Sequence, residues 1–398
     1  MEDIRDTSAS YKRKRDEDGV DLQFLSLDEL SQDLLERVLS WLPASSLFRL
    51  KSVCKRWKLV ADCPSFRLAC AEIPFRDPWY YMVGSRANQL TVFDSFDKRW
   101  KNLNSSPSLH QVSVPVAASG GLMCFMDEPS DFIVCNHLTG SSRKIPPPPP
   151  FQSLHAIAMT TSKGYKIVLI NKNLARWSFR IFRSSTDSWE DEIILNRNPG
   201  SNSGEQNEVD CPMYFLSKTG AVVTTDVHKS PSKRYSSVIT NKNGEETVYF
   251  FTSGGTIVAC NLTRKSFLEY PRLLPLFSEY SIDLVECGGE MLVVVLSEFF
   301  ESASLRVWKF DEGLGLWRQI CAMPPAASQE FYGRKVDINC VGAGNQILVC
   351  LNSGDFFRYL MYHLETDFWE ELPGVSADGR AVEFISAFAF EPRIEASV

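Results

Sequence analysis

The sequence predicts a multidomain protein in which a small all-α module of three short helices precedes a larger all-β domain. Residues 25–66 carry apolar side chains at three- and four-residue steps, which is typical of amphipathic helices. The rest of the chain shows short alternating segments between polar turns, and aromatic residues reach 12% of the sequence, which favours strands. We therefore divide the chain into a polar tail (1–24), a helical module (25–70) and a strand-rich domain (75–392).

The composition argues against several classes of partner and chemistry. A net charge of −7 disfavours nucleic-acid binding, because phosphate neutralisation requires a basic surface. No apolar run approaches the ~20 residues of a membrane span, and the first residues lack the apolar core of a secretory signal. The histidines do not show the spacing of a metal site, and no phosphate-binding loop or nucleophile motif occurs. We therefore expect no nucleic acid, membrane, metal or cofactor as a partner, and no catalytic residue.

The cysteines and the polar tail bear on where the protein works. The 11 cysteines lie singly at irregular intervals, which is neither a disulfide framework nor a zinc site. We expect buried, reduced thiols, and hence a location in the nucleus, the cytoplasm or both. The basic run Lys12–Arg15 lies in the polar tail, which we expect to be solvated and disordered. A weak nuclear-import signal is the alternative interpretation of this run.

Helical periodicity is clearest directly after the tail. The first predicted helix has an apolar stripe at four-residue steps, formed by Leu34, Leu35, Val38, Leu39 and Leu42. Ser31 suits the cap at its start, and Pro43 should end it. A second helix follows from Ala44 with Leu47 and Leu50, and Pro64 should end a third. That third helix carries Val53, Cys54, Trp57 and Val60. Three small helices cannot bury this many apolar side chains among themselves, so we expect a partner surface or packing on the next domain.

The motif Leu-x-x-Asp-Leu-Leu-x-x-Val-Leu-Ser-x-Leu-Pro, followed by Ser-Leu-x-Arg-Leu-x-x-Val-Cys-Lys-x-Trp, resembles an F-box over residues 25–66. The resemblance implies docking on a Skp-type adaptor and, through it, on the cullin/RING core of an SCF ubiquitin ligase. By similarity, nine residues should line or support the adaptor contact: Leu30, Leu34, Val38, Leu42, Pro43, Leu47, Leu50, Val53 and Trp57. Ser31 departs from the motif, because F-boxes usually have proline there. A plain helical hairpin packed on the main domain is the alternative interpretation.

A repeat runs through the rest of the chain. An alternating strand leads into a polar turn, and in five of the six units an aromatic residue lies seven residues after the first anchor, as in Phe93 to Trp100. The unit anchored at Cys135 matches more weakly, with Ser142 at that position. The six first anchors are Phe93, Cys135, Phe182, Cys260, Phe310 and Tyr362. Most intervals are about 40–50 residues, the length of a four-stranded propeller blade. The longest interval contains the polar stretch 196–209, which we interpret as an inserted loop. We therefore predict six blades.

The first repeat unit is incomplete, because only three strands follow Pro78. A surplus strand, Ala381–Phe390, lies near the other end of the chain. A ring of blades needs its first and last units joined, since open sheet edges are liable to pair with other chains. We therefore predict that this strand completes the first blade. Pro146–Pro150 should be a stiff link between the second and third blades, with a polyproline ligand as the alternative.

Glycine pairs such as Gly120-Gly121 and Gly288-Gly289 precede the second strand of several units and resemble those of kelch-type repeats. Together with the F-box-like module, they make the chain similar to plant F-box/kelch-repeat proteins, in particular the Hawaiian Skirt group. The segments Pro78–Met82 and Gly121–Asp127 support that similarity. The resemblance implies a non-catalytic substrate-recognition subunit of an SCF ligase, whose propeller binds an unidentified target protein. A propeller enzyme or lectin-like protein outside any SCF complex is the alternative.

We predict the target-binding surface on the propeller face formed by the second-to-third strand loops and the connections between blades. Aromatic residues and arginine are concentrated there in the sequence, and such residues are typical of interface hot spots. The candidates are Trp177, Tyr280, Phe299, Phe300, Phe331, Tyr332, Arg334, Phe356 and Phe357. The opposite face should carry short turns, such as Ser95–Arg99, with little apolar material. Alternatively, each phenylalanine pair folds inward and fills its own blade.

Overall fold

The structure is a computed structural model. It describes residues 30–398 except 85–89, 104–112, 128–130, 151–152, 163, 174–175, 199–213, 217–221, 225–232, 253–254, 274–279, 300, 354–355, 375, 378–379 and 382. The polar tail and its basic run lie outside the described residues.

The helical module contains four helices where three were predicted: α1 (Gln32–Ser40), α2 (Ala44–Val53), α3 (Lys55–Asp62) and α4 (Pro64–Ala71). Pro64 begins α4 instead of only ending α3, because proline suits the first turn of a helix, where its missing N–H is not needed. Val53 and Cys54 precede α3, and the Cys54 sulfur accepts the Trp57 backbone N–H at its start. Ser31 does precede α1, but its side chain makes no capping hydrogen bond.

The propeller has six blades, as predicted. Blades one and two contain β1 (Trp79–Gly84), β2 (Leu90–Asp94), β3 (Arg99–Leu103), β4 (Val114–Ser119), β5 (Leu122–Asp127), β6 (Asp131–Asn136) and β7 (Ser141–Ile145). Blade three contains β8 (Leu154–Ser162), β9 (Gly164–Asn173), β10 (Arg176–Arg183) and an outer edge broken into β11 (Ser188–Trp189) and β12 (Ile193–Ile194).

The strand β13 (Asn196–Arg197) and the hairpin of β14 (Tyr214–Leu216) with β15 (Val222–Thr224) precede blade four. Blade four contains β16 (Val238–Lys242), β17 (Glu245–Phe251), β18 (Ile257–Asn261) and β19 (Ser266–Glu269). The predicted loop 196–209 is wrong at its start, because Asn196 and Arg197 pair in parallel with β19 and extend blade four. Residues 199–209 lie outside the described residues.

Blades five and six follow the same four-strand order. They contain β20 (Tyr280–Cys287), β21 (Glu290–Phe299), β22 (Ser302–Asp311), β23 (Leu316–Ala322), β24 (Asp337–Ala343), β25 (Gln346–Ser353), β26 (Phe356–His363) and β27 (Phe368–Glu371). A short helix, α5 (Pro325–Ser328), and a 3₁₀ turn over Gln329–Phe331 connect them. The hairpin of β28 (Ser376–Ala377) with β29 (Arg380–Ala381) then leads to β30 (Phe384–Phe390).

Strand β30 closes the ring, as predicted. It pairs antiparallel with β1 from Trp79↔Phe390 to Val83↔Ser386 and is the innermost strand of blade one. The strand begins at Phe384 and not at Ala381, because Ala381 belongs to the preceding hairpin. The first blade is therefore built from both ends of the strand-rich domain.

The seven-residue step of the sequence corresponds to one repeated turn between the third and fourth strands. Two residues before the second repeat position, which is aromatic in five blades and Ser142 in blade two, every blade has a residue with positive φ, between 49° and 73°: Lys98, Gly140, Asp187, Lys265, Gly315 and Asp367. In three blades the tryptophan indole N–H donates to a proline carbonyl of the preceding blade, over the pairs Trp100–Pro373, Trp189–Pro146 and Trp317–Pro271. The repeat therefore both reverses the chain and links neighbouring blades.

The innermost strands of the six blades surround a channel of about 290 Å³. Lys233, just before blade four, is buried there and donates to the Cys340 carbonyl at 2.6 Å. Its Nζ lies 3.6 Å from the Asp283 carboxylate, which also accepts the Cys340 backbone N–H. A buried lysine requires such partners, because an unpaired charge is costly away from water. Blades four, five and six are thus joined at the axis.

The helical module is fastened to the propeller by the segment Glu391–Val398, which we call the strap. Arg393 donates to the carbonyls of Ile73 and Pro74, at 3.1 and 3.3 Å. The Asn136 amide of blade two donates to the carbonyls of Arg393 and Ala396, each at 2.9 Å. Ile394 packs on the core of the helical module. The strap therefore contacts both parts of the molecule at once.

A buried histidine gives the stability of blades one and two a predictable pH dependence. His137 stacks on Tyr81 with ring centroids 5.4 Å apart, and burial lowers its pKa to about 4. The unfolded chain takes up a proton near pH 6.5 that the folded state resists, so stability is lost as the pH falls from 6.5 towards 4. The loss should approach about 3 kcal/mol. Urea unfolding at pH 7.5 and pH 5 should show a smaller loss for His137→Phe than for the wild type, whereas equal losses would contradict this assignment.

Candidate functional site

The first helix divides its apolar residues between a core and a solvent-facing stripe. Leu35 and Leu39 are buried in the module core with Leu47, Leu50, Val60, Phe66 and Cys70. Leu34, Val38 and Trp41, which we call the α1 stripe, are 52%, 48% and 69% exposed. The spacing of these three residues, four and then three, places them on one face of the helix. Large apolar side chains this exposed on one helix face indicate a surface that another molecule covers.

Trp41 was missed by the sequence analysis. It lies seven residues after Leu34, so the helical period could have identified it as the third member of the stripe. The F-box motif did not point to it, because the motif leaves that position unspecified. Trp41 is the most exposed of the three side chains, and tryptophan is among the residues enriched at interface hot spots.

The remaining predicted adaptor residues differ in exposure and fall into three groups. Val53 is exposed at the end of α2, whereas Leu47 and Leu50 are buried in the module core. The residues between these extremes are half-buried: Leu30, Leu42, Pro43 and Trp57. The buried and half-buried residues are placed to support the surface, and Leu34, Val38 and Val53 are placed to form it.

The opposite side of the helical module packs on blade one. Ala44 of α2 is buried in a cluster with Trp79 and Phe390, and the Phe48 ring lies 6.5 Å from the Trp79 ring. Arg76, in the linker, donates to the Ser40 and Leu42 carbonyls at the end of α1, at 3.0 and 3.2 Å. Because α2 and the linker take up the propeller contact, the α1 stripe remains in solvent.

Several residues predicted for target binding are not available to a partner. Trp177 and Phe331 are 1% and 0% exposed, and Phe356 is buried as well. Trp177 packs edge-on against Phe250 of the next blade at 5.1 Å, and Phe331 packs on Phe356 at 6.0 Å. The prediction was wrong for Trp177 and Phe356 because blades stack on one another, so both faces of each sheet are buried. It was wrong for Phe331 because the 3₁₀ turn inserts this side chain into the core shared by blades five and six. The alternative, in which phenylalanines fold inward, is correct for Phe356.

The other candidates on that face have mixed environments. Tyr332 and Arg334 are exposed, and the Arg334 guanidinium lies 4.8 Å from the Phe356 ring centre and covers it. Phe357 is half-buried against the core shared by blades six and one. Tyr280 and Phe299 begin and end strands, but their side chains lie outside the described residues, as does Phe300 entirely. Target binding by these residues stays a prediction.

The expectation of little apolar material on the opposite face was wrong. That face, which carries the helical module and the repeated turns, we call the proximal face. Phe96, Leu314, Leu316 and Phe368, in its turns or directly after them, are all more than half exposed. Phe96 and Leu314 lie within four-residue turns, whereas Leu316 and Phe368 are the first residues of the strands that follow such turns.

The described residues offer little for redox or metal chemistry. No group of three histidine, cysteine or acidic side chains within the described ranges is arranged to hold a metal ion. Among the described cysteines only Cys54 and Cys63 are not buried, and none forms a disulfide. Burial raises the pKa of Cys70 to about 11, which keeps this thiol protonated and unreactive. No helix in the described part of the chain is long and apolar enough to cross a bilayer.

Comparison with known proteins gives matches for both parts of the molecule. The F-box domain model matches residues 27–68, and the KIB1-4 beta-propeller model matches residues 102–328. The chain is 48% identical to F-box only protein 13 of Arabidopsis thaliana, over 98% of this chain and 91% of that protein. It is 27% identical to F-box only protein 6 of the same plant, over 87% and 69%. It is 25% identical to an Arabidopsis F-box/kelch-repeat protein, over 97% and 94%.

Proposed function

Because this chain belongs to the F-box proteins with a KIB1-4 beta-propeller, we propose that it is a substrate-recognition subunit of an SCF-type ubiquitin ligase. In this role the helical module binds a Skp-type adaptor, the adaptor joins a cullin/RING core, and the propeller holds a target protein. The chain itself catalyses no step. A kelch character of the repeats and membership of the Hawaiian Skirt group stay predictions.

The α1 stripe is the observation that carries this proposal. The F-box match covers the stripe, and the stripe points away from the propeller. Burying three large apolar side chains of this kind contributes about 1.5–3 kcal/mol for each fully buried residue. A hairpin that served only to pack on the main domain would bury these residues against the propeller.

The rigid attachment of the module suits a receptor. The Arg76 and Arg393 hydrogen bonds and the Ile394 contact fix the helices relative to the blades. A target bound to any blade would then be held at a fixed orientation to the ligase core. We extend the proposal to location: the unpaired described cysteines fit the reducing nucleus or cytoplasm, and Lys12–Arg15 is a candidate nuclear-import signal.

Co-elution of the purified full chain with a Skp-type adaptor tests this function. We expect a one-to-one complex on size-exclusion chromatography that survives dilution to micromolar concentration. A chain that is folded by circular dichroism and elutes separately from several plant Skp-type adaptors would refute the proposal.

A further inference from the structure

Within the described residues, large exposed apolar side chains in the proximal turns and at the first residues of the fourth strands occur in three consecutive blades. Leu314 and Leu316 of blade five are 73% and 64% exposed, and Phe368 of blade six and Phe96 of blade one are each 56% exposed. We call these four residues the rim patch. In the equivalent turns of blades two and four, Leu138 is half-buried and Leu262 is buried. The repeated turn itself therefore does not require exposed apolar residues.

Contacts between neighbouring blades join the parts of the rim patch that lie on blades six and one. Lys98 of blade one forms an ion pair with Glu370 of blade six at 2.8 Å, beside Phe96 and Phe368 respectively. The Trp100 indole donates to the Pro373 carbonyl across the same junction. The patch reaches the helical module as well. Asp97, whose pKa is lowered mainly by its hydrogen bond from Lys101, also accepts one from Ser45 of α2.

The charge around the rim patch is mainly acidic. Glu312, Glu365 and Asp367 are exposed in the turns of blades five and six. They accept hydrogen bonds from Tyr270, Asn345 and Tyr362, but no ion pair to them occurs within the described ranges. Lys98 is neutralised by Glu370, and the further exposed cations beside the patch are Arg99 and Arg318.

We propose that the rim patch docks a segment of the target protein in which lysine or arginine alternates with large apolar side chains. The proposal rests on the proposed receptor function and names the class of target segment. The apolar side chains of the segment would cover Leu314, Leu316 and Phe368. Its cations would meet the unpaired carboxylates, which supplies the charge complementarity that such interfaces use for specificity.

The location of the rim patch on the proximal face also suits target binding. The rim patch lies on the same side of the propeller as the α1 stripe and is separated from it by α2, which packs on blade one. A target segment on the rim and an adaptor on the stripe would therefore bind to one side of the molecule without sharing a residue.

Three synthetic peptides of equal length test the proposal by fluorescence anisotropy on the purified full chain. The first alternates lysine with leucine, the second replaces lysine with glutamate, and the third replaces leucine with serine. We expect saturable binding of the first peptide only. The double variant Leu314→Ser/Phe368→Ser and the double variant Glu312→Gln/Asp367→Asn should each weaken that binding by about tenfold or more.

Matched controls lie elsewhere on the propeller. Ile194→Ser removes a comparably exposed apolar side chain from blade three, and Glu301→Gln removes a charge from the other face of blade five. Both should change peptide affinity less than about twofold. Equal losses in the controls, equal binding of the glutamate peptide, or no binding of the first peptide would each overturn the proposal. Co-elution of the wild-type chain with a Skp-type adaptor separates the failure of the two proposals. A wild-type chain that co-elutes with the adaptor but binds none of the three peptides would overturn the rim patch and leave the receptor function standing.

Discussion

Replacing Leu34, Val38 and Trp41 with alanine will weaken binding of a Skp-type adaptor by more than about a hundredfold while the propeller stays folded. Each exposed anchor of this size contributes on the order of 1–3 kcal/mol when an interface buries it, so three together exceed the ~2.7 kcal/mol of a hundredfold change. Isothermal titration of the full-length variant against purified adaptor gives the affinity. Leu42, half-buried against the module core, is excluded from the variant so that packing is left intact.

Two controls separate loss of contact from loss of fold. Ile194→Ala removes a comparably exposed apolar side chain from blade three and should leave adaptor affinity unchanged. Leu35→Ala should also abolish binding, but by unfolding the module, because emptying a buried leucine site costs about 2–5 kcal/mol. If the triple variant binds the adaptor with wild-type affinity, the α1 stripe is not the contact surface.

Removal of residues 384–398 will open the propeller and cause aggregation. Strand β30 supplies the hydrogen-bond partner of β1 and the buried side chains Phe384, Phe388 and Phe390. Their burial alone contributes on the order of 5–9 kcal/mol, which is comparable with the whole stability of a typical domain. The exposed edges of β1 and of the neighbouring blades would then pair with other chains. Light scattering and thermal unfolding measure both effects.

Removal of residues 391–398 alone is the matched comparison. This shorter truncation keeps β30 and removes only the strap, so the ring should stay closed and monomeric. The helical module should exchange its amide hydrogens faster, because Arg393 and Ile394 no longer hold it. A monomeric 384–398 truncation with an unchanged melting temperature would contradict ring closure by β30.

The propeller could be predicted because its repeat is local. The step from Phe93 to Trp100 reflects a single hairpin turn, and its positive-φ position recurs in all six blades. Closure followed from counting strands, since three strands after Pro78 and one near Phe390 make one blade. The turn depends on residues close in sequence, and ring closure depends on the number of strands. Both can therefore be predicted without a structure.

The orientation of side chains could not be predicted in the same way. Apolar residues cover a wide arc of α1, and packing against the other helices of the module, mainly α4, decides that Leu35 faces inward and Leu34 outward. The prediction of buried residues as target-binding residues was wrong for a related reason. Loop aromatics such as Trp177 and Phe331 looked exposed by their position in the repeat, but neighbouring blades cover them. Contacts between segments that are distant in sequence decide whether such a side chain is buried, and a single sequence does not reveal those contacts.

Hydrogen–deuterium exchange of the full chain with and without a Skp-type adaptor tests whether the helical module binds the adaptor through the α1 stripe. We expect slower exchange in the peptides covering Gln32–Ser40 and Ala44–Val53, with no change in blades two to four. Formation of the complex without slower exchange over Gln32–Ser40, or with protection confined to the propeller, would contradict it.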